Sequence, residues 1–103
     1  MVNIIVSRHP GAIAWLRSRG IDGQVVAQIS PDAREVEAGS VVYGSLPLEL
    51  VDKILAKGAK FVNISLPAVA FGQRGSELTP DEMAKAGAKL LEVVSLQLRE
   101  VEY

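Results

Sequence analysis

Short apolar runs alternate along this chain with segments that carry apolar residues at helical spacing, and this alternation constrains the fold more than any other feature. The first run, Asn3–Val6, is largely β-branched and lacks polar alternation, which is typical of a strand buried on both faces. Pro10 suits the first turn of a following helix, where its missing N–H costs nothing. Ala12, Ile13 and Leu16 form one apolar stripe on that helix. The chain therefore begins with a strand followed by a helix.

The same two patterns recur further along the chain. Three more apolar runs predict strands, and an amphipathic stretch before the last of them predicts a second helix. The strands are Gln24–Ile29, Ser40–Tyr43 and Phe61–Leu66, and the helix starts at Pro47 with Leu48, Val51, Ile54 and Leu55 on one face. Residues 30–39 are polar and predict a connection. Trp15 lies at the edge of the first helical stripe, so we expect it to be only partly buried.

A weak internal repeat organises the C-terminal part of the chain. Residues 54–66 align with residues 83–95, and the alignment places Gly58 over Gly87. Glycine often ends a helix in a left-handed cap, so we expect both glycines to separate a helix from a following strand.

The residues around this third helix leave two interpretations open. Thr79 and Glu82 match a capping box at its start. Beyond it, apolar and polar residues alternate, which favours a fifth strand: Val94, Leu96 and Leu98 against Ser95, Gln97 and Arg99. The alternative is one long helix, because Leu90, Val94, Leu98 and Val101 also keep helical spacing.

The predicted order β-α-β-β-α-β-α-β indicates a single α/β domain over residues 1–103, a three-layer sandwich around a mostly parallel, roughly five-stranded sheet. Ligands of such sheets bind beyond the carboxyl ends of the strands, where the strand order switches. With strand 1 beside strand 3, that crevice would be lined by residues 7–9, residues 44–47 and the loop after Leu66.

Composition excludes several classes of function. The net charge of −1 argues against the broad basic face of proteins that bind long DNA or RNA. The chain has no cysteine and one histidine, which excludes thiolate zinc sites, cysteine nucleophiles and multi-histidine metal sites within one chain. No apolar segment approaches the about 18 residues of a membrane span, and no basic leader precedes a long apolar stretch. We therefore expect a cytoplasmic protein that needs no metal and no cofactor.

The turn after the first strand is the strongest candidate site. Ser7, Arg8 and His9 lead into a helix that starts at Pro10-Gly11, and a helix N-terminus attracts anions such as phosphate. Arg8 adds a bidentate donor, and His9 adds a group that exchanges protons near neutral pH. The structural alternative is that His9 caps the helix and Arg8 forms a surface ion pair.

Two further segments follow the third and fourth strands. At 44–46, Gly44 permits close approach of a ligand, Leu46 lies beside it, and Ser45 either caps the helix from Pro47 or binds phosphate, capping being the favoured interpretation. After the fourth strand, Ser65 lies at the crevice, and the glycine-flanked loop 72–79 carries Arg74 and Glu77.

Arg74 is placed to fold over a bound anion, and Glu77 is placed to orient Arg74 or a ligand hydroxyl. The alternative is that both side chains are solvated. No Ser-His-Asp triad, dinucleotide fingerprint or Walker loop is present.

Four segments together resemble the small CRISPR-associated Csx-sixteen family. They are VSRHPGAIAWL (6–16), YGSLPLEL (43–50), GAKFVNISL (58–66) and RGSELTPDEMAKAGAKL (74–90). The resemblance implies a Rossmann-like fold related to CARF sensor domains, a homodimer, and ring-nuclease activity. Such an enzyme degrades cyclic tetra-adenylate and so switches off type III CRISPR signalling.

The resemblance also implies roles for the candidate residues. His9 would be the general acid or base, and Arg8 and Arg74 would hold phosphate. Ser7, Gly44 and Ser45 would form the cradle for the nucleotide. The other ligand-binding candidates are Pro10, Gly11, Leu46, Ser65 and Glu77. Cleavage would need no metal, because a ribose 2′-hydroxyl attacks its adjacent phosphate once the ring is held in line. The alternative function is a binder that sequesters or senses the cyclic nucleotide without cutting it.

Overall fold

The computed structural model describes residues 2–65 and 79–102. These residues form five strands and three helices in the order predicted from the sequence. The elements are β1 (Asn3–Val6), α1 (Pro10–Ser18), β2 (Gln24–Val26), β3 (Val41–Gly44), α2 (Leu48–Ala56), β4 (Lys60–Ser65), α3 (Pro80–Lys85) and β5 (Lys89–Glu92).

All five strands join one sheet in the order β2-β1-β3-β4-β5. The pairs β1–β2, β1–β3 and β3–β4 are parallel, and β5 runs antiparallel to β4. The predicted mostly parallel sheet is therefore confirmed, as is the placement of strand 1 beside strand 3. From β1 the chain moves to one side of the sheet for β2 and to the other side for β3, so the strand order switches at β1.

A separate apolar core covers each face of the sheet, which gives the three-layer sandwich expected from the sequence. Alternate residues of β1 point to opposite faces, as in any strand. Ile4 and Val6 belong to the core beneath α2, and Ile5 to the core beneath α1 and α3. The α2-side core also contains Ile29, Ala33, Val36, Val42, Val51, Ile54, Ala59 and Phe61. The other core contains Trp15, Leu16, Met83 and Ala88.

The internal repeat predicted from the sequence is confirmed at the ends of α2 and α3. Gly58 and Gly87 adopt φ of 83° and 86°, a left-handed conformation that side chains disfavour. The Gly58 and Gly87 N–H groups donate to carbonyls three residues earlier, at 3.0 and 3.1 Å. The following Ala59 and Ala88 N–H groups donate to carbonyls five residues earlier, so both helices end in the same glycine cap.

Two side chains and one strand boundary differ from the sequence-based predictions. Trp15 is 2% exposed rather than partly buried, because α3 packs against α1 and covers the indole. Leu48 is 62% exposed although helical spacing placed it on the buried face of α2, because it is the first residue of the helix, beyond the core. The second strand ends at Val26 rather than Ile29, and Ile29 enters the α2-side core from the connection.

The fifth strand exists, but the alternating residues do not form it. β5 occupies Lys89–Glu92, directly after the cap at Gly87, and pairs with β4. Residues 93–102 belong to no helix or strand, so the prediction of a strand over 94–99 is wrong, and so is the alternative of a continuous helix. The physical reason is that the side of β4 on which these residues would have to pair is already taken by β5.

Candidate functional site

The carboxyl ends of four neighbouring parallel strands meet at one edge of the sheet. Val6 at the end of β1 lies opposite Val26 of β2 and opposite Gly44 of β3, and Gly44 in turn lies opposite Asn63 of β4. The segments that follow these strands therefore lie beside one another. This edge, at the switch in strand order, is where an α/β sheet places its ligands.

Ser7 shapes the turn that joins β1 to α1. Its N–H donates to the Val26 carbonyl at 3.0 Å, which continues the pairing with β2 by one residue. Its hydroxyl accepts a hydrogen bond from the His9 N–H at 3.1 Å. The hydroxyl therefore fixes the backbone on which the arginine and the histidine are carried.

The start of α1 offers a positive end that no side chain neutralises. The first turn of α1 contains no acidic residue, whereas Glu49 lies in the first turn of α2 and Asp81 in that of α3. The Gly11 N–H has no hydrogen-bond partner among the described residues, and Pro10 has no N–H. Both features suit an anion at this helix end.

Arg8 is exposed and held by a neutral partner. Its Nη2 donates to the Gln28 side-chain oxygen at 3.0 Å, and it forms no salt bridge with a described residue, so the surface ion pair considered from the sequence is absent there. Because the amide carries no charge, the guanidinium keeps its full charge for a ligand. Gln28 was missed by sequence reasoning, although it follows β2 closely and therefore lies at the same sheet edge.

His9 occupies the N-cap position of α1 without capping it. Its backbone carbonyl accepts from the Ala12 and Ile13 N–H groups, at 3.0 and 3.2 Å, but its side chain makes no cap hydrogen bond. The imidazole is exposed and has no hydrogen-bond partner among the described residues. The helix start therefore uses only the backbone of His9, and side-chain capping, the alternative considered from the sequence, is not observed.

Gly44 has a packing role in the sheet. A Cβ built on this residue would lie 2.8 Å from the Val6 carbonyl oxygen, closer than side chains tolerate. The missing side chain thus lets β3 approach β1 at the end of their pairing. This reason for glycine is independent of any ligand.

Ser45 does not cap α2, and the capping favoured by the sequence is therefore wrong. Pro47 occupies the N-cap position of α2, and no side chain caps that helix. The Ser45 hydroxyl instead donates to the Ile64 carbonyl at 3.3 Å, so that it ties the end of β3 to β4. The hydroxyl is exposed at the candidate edge.

The remaining candidates fall into two groups. Leu46 and Ser65 are half-buried at the carboxyl ends of β3 and β4, on the predicted edge. Arg74 and Glu77 lie outside the described residues. The structure thus brings together the candidates from the first, third and fourth strands.

Neither a metal-binding cluster nor a membrane-spanning helix occurs among the described residues. Residues 2–65 and 79–102 contain no group of three or more histidine, cysteine, aspartate or glutamate side chains placed to hold a metal ion. No helix in this part of the chain is long and apolar enough to cross a membrane.

Comparison with protein families identifies the chain over most of its length. Residues 4–95 match the model of a family described as "Putative CRISPR-associated protein (Cas_VVA1548)". Comparisons with curated proteins and with solved structures gave no match. The matched residues include β1 from Ile4 onward, the Ser7–His9 turn and every other described strand and helix. The chain therefore belongs to this family of CRISPR-associated proteins.

Proposed function

We propose that this protein is a ring nuclease, which binds cyclic oligoadenylate, in particular cyclic tetra-adenylate, and cuts it to linear di-adenylates. The observation that carries the proposal is the Ser7–His9 turn. This turn places the guanidinium of Arg8 and the imidazole of His9, both exposed, at the N-terminus of α1. It lies at the carboxyl ends of the parallel strands, where the strand order switches, in a chain that belongs to a CRISPR-associated family. The resemblance to the Csx-sixteen family supports the cyclic nucleotide as the anion.

The proposed reaction is a transesterification that needs no metal. A ribose 2′-oxygen attacks the adjacent phosphorus, and the bond from phosphorus to the 5′-oxygen of the next nucleotide breaks. The 2′-hydroxyl loses a proton and the leaving 5′-oxygen gains one, so each cut leaves a 2′,3′-cyclic phosphate and a 5′-hydroxyl. Two such cuts convert one ring of four nucleotides into two linear di-adenylates.

The proposed residues have two roles: some bind the phosphate and stabilise its charge, and one transfers a proton. Arg8 and the positive end of α1 hold a phosphate and stabilise the charge that develops on it. His9 moves the proton, as base toward the 2′-hydroxyl or as acid toward the leaving oxygen. Arg74 and Glu77, which lie outside the described residues, are the remaining groups of the proposed site.

A homodimer is part of the proposal because the ligand is symmetric. A ring of four identical nucleotides presents the same groups to two copies of one chain related by a two-fold axis. Each copy then contributes one Ser7–His9 turn.

The competing function is a binder that holds the cyclic nucleotide intact. The observation that favours it is the imidazole of His9, which no described residue orients, whereas catalytic histidines are usually held by a partner. Binding through Arg8 and the start of α1 would not need that orientation.

One experiment separates the two functions. Radiolabelled cyclic tetra-adenylate is incubated with excess protein in EDTA, and the products are resolved on a gel. We expect linear di-adenylates with 2′,3′-cyclic phosphate ends. Intact ring that migrates with the protein would instead establish the binder, and free intact ring would exclude both.

Variants of the turn assign the roles, with Arg17→Ala as the matched control. Arg17 is an exposed arginine on the same helix but at its other end, where it faces Asp22 at 3.5 Å. Arg8→Ala should weaken binding, and Arg17→Ala should not. His9→Ala should slow single-turnover cleavage by about 10²–10⁴ while leaving binding largely intact, because general acid–base catalysis is typically worth that much. If His9→Ala cleaved at the wild-type rate, His9 would not transfer a proton, and catalysis would come only from the positioning of the ring.

A further inference from the structure

An open apolar groove of about 290 Å³ lies on the α2 side of the sheet. Leu48 and Val51 of α2 line one side of it, Leu91 of β5 and Leu96 line the other, and Phe61 of β4 lies between them. Leu48 is 62% exposed and Leu91 48% exposed, so the groove is accessible to a ligand. Apolar side chains on both sides of an open groove suit a ligand with apolar faces.

Asn63 carries the one polar side chain among the described residues that line this groove. It lies two residues beyond Phe61 on β4 and therefore points to the same face of the sheet. The residue is half-buried, and its amide makes no hydrogen bond to a described residue. An amide presents an acceptor oxygen beside an N–H donor. The groove therefore fits a ligand that is apolar on its faces and carries a donor beside an acceptor on one edge.

The groove lies beside the candidate functional site. Asn63 lies opposite Gly44, and Gly44 lies opposite Val6, the residue before the Ser7–His9 turn. Two strand spacings, about 10 Å, therefore separate Asn63 from the strand that carries the turn. Leu46 connects the two regions, because it follows Gly44 by two residues and also lines the groove. A single nucleotide spans such a distance between its phosphate and the far edge of its base.

We propose that this groove binds an adenine base of the cyclic oligoadenylate and that Asn63 selects adenine. Its Oδ1 accepts a hydrogen bond from the 6-amino group, and its Nδ2 donates to the neighbouring ring nitrogen, as asparagine binds adenine in DNA. Leu48 and Leu91 contact the apolar faces of the base. The inference rests on the proposed function, because it places the base of the ligand whose phosphate is held at the Ser7–His9 turn.

A ring that binds without being cut tests the proposal. Cyclic tetra-(2′-deoxyadenylate) has no 2′-hydroxyl to attack the phosphorus, and its purine analogue carries hydrogen in place of each 6-amino group. Isothermal titration calorimetry of the full chain gives the dissociation constant of each ring. We expect the wild type to bind the adenine ring about 5-fold to 150-fold more tightly, because such a pair of hydrogen bonds discriminates between bases by that factor.

Asn63→Leu should bind both rings with equal affinity, because leucine is similar in size and forms no side-chain hydrogen bond. Asn3→Leu is the matched control. Asn3 is the other asparagine of the chain and starts β1, where it donates to the Asp22 carbonyl at 3.1 Å, so its variant should keep the wild-type preference. A wild type that binds both rings equally, or an Asn63→Leu variant that keeps the preference, would overturn this inference and leave the proposed function standing. A wild type that binds neither ring would overturn both.

Truncation of one side of the groove gives a second test, which does not depend on Asn63. Leu91→Ala should raise the dissociation constants of both rings by the same factor, about threefold to tenfold, because an apolar contact does not distinguish the 6-amino group. Val94→Ala is the control, since Val94 lies three residues further along, is 83% exposed and is not among the residues that line the groove. Unchanged affinity of Leu91→Ala for both rings would exclude the groove as the site of the base.

Discussion

Gly44 allows β3 to pack closely against β1 at the carboxyl ends of the strands, where a ligand is also expected. It ends β3 opposite Val6, and the Val6 carbonyl oxygen occupies the space that a side chain would need. Arg8 and His9 differ from it, because both are exposed and neither is required by the core. At the scale of single residues, Gly44 therefore has a packing role, whereas Arg8 and His9 are the candidates for chemistry at the same end of the sheet.

Gly44→Ala should destabilise the protein by about 1–3 kcal/mol, because the added methyl group forces β3 away from β1. The midpoint of urea-induced unfolding measures this effect. Ser45→Ala is the neighbouring control, since it removes one exposed hydrogen bond and should cost less than about 1.5 kcal/mol. A stable Gly44→Ala variant that no longer binds cyclic nucleotide would show that Gly44 serves ligand approach instead.

At the scale of elements, α3 is a short helix whose start is well defined. Thr79 Oγ1 accepts from the Glu82 N–H at 3.1 Å, and the Glu82 carboxylate accepts from the Thr79 N–H at 3.0 Å. The hydrogen bond from the Thr79 N–H, followed by that from the Thr79 side chain, lowers the pKa of Glu82 below its usual 4.5. The capping box predicted from the sequence is thus confirmed, and it depends on an ionised carboxylate.

The unfolding free energy should therefore fall as the solution is acidified. Glu82 has a lower pKa in the folded chain than in the unfolded chain, so its contribution is complete above about 4.5 and is lost as the pH falls through the folded pKa. Glu35 acts in the same direction, because hydrogen bonds from the Ser30 side chain and N–H lower its pKa. Glu82→Gln keeps a capping group and removes the titration.

Urea unfolding at a series of pH values measures this dependence. Glu82→Gln should show a shallower loss of stability in acid than the wild type, and Glu35→Gln/Glu82→Gln a shallower loss still. An unchanged acid slope in both variants would contradict the assignment.

Local patterns in the sequence predict most elements and the edge that carries the candidate site. The first strand and helix, the two glycine caps and the capping box all depend on neighbouring residues, so the sequence shows them directly. The burial of Trp15 depends on α3, which is distant along the chain. The Arg8–Gln28 hydrogen bond likewise depends on β2 lying beside β1, and local patterns contain no such information.

At the scale of the whole molecule, one sheet separates two cores and connects them. Ile5 faces the core that contains Trp15, and its neighbours Ile4 and Val6 face the core that contains Ile54. Neither core can be lost without exposing β1. We therefore expect the whole chain to unfold as a single cooperative unit.

Ile54→Ala tests this cooperativity from the side of the sheet opposite to Trp15. Because the Ile54 side chain is fully buried, truncating it should lower the free energy of unfolding by about 2–5 kcal/mol. Because Trp15 is the one tryptophan in the chain, its fluorescence reports on the other core. Far-UV circular dichroism and tryptophan fluorescence should shift to lower urea together, at one protein concentration. Fluorescence that keeps the wild-type midpoint would mean that the two cores unfold separately.

The central position of β1 also has a consequence for synthesis on the ribosome. Asn3 pairs with Val41, so β1 must wait for 38 further residues before its pairing with β3 can begin. Closing such a long loop costs entropy before any contact compensates for it, which slows folding. During that interval the apolar side chains of β1 are open to other nascent chains and to chaperones. The strand that anchors both cores therefore stays incompletely paired until β3 has been synthesised.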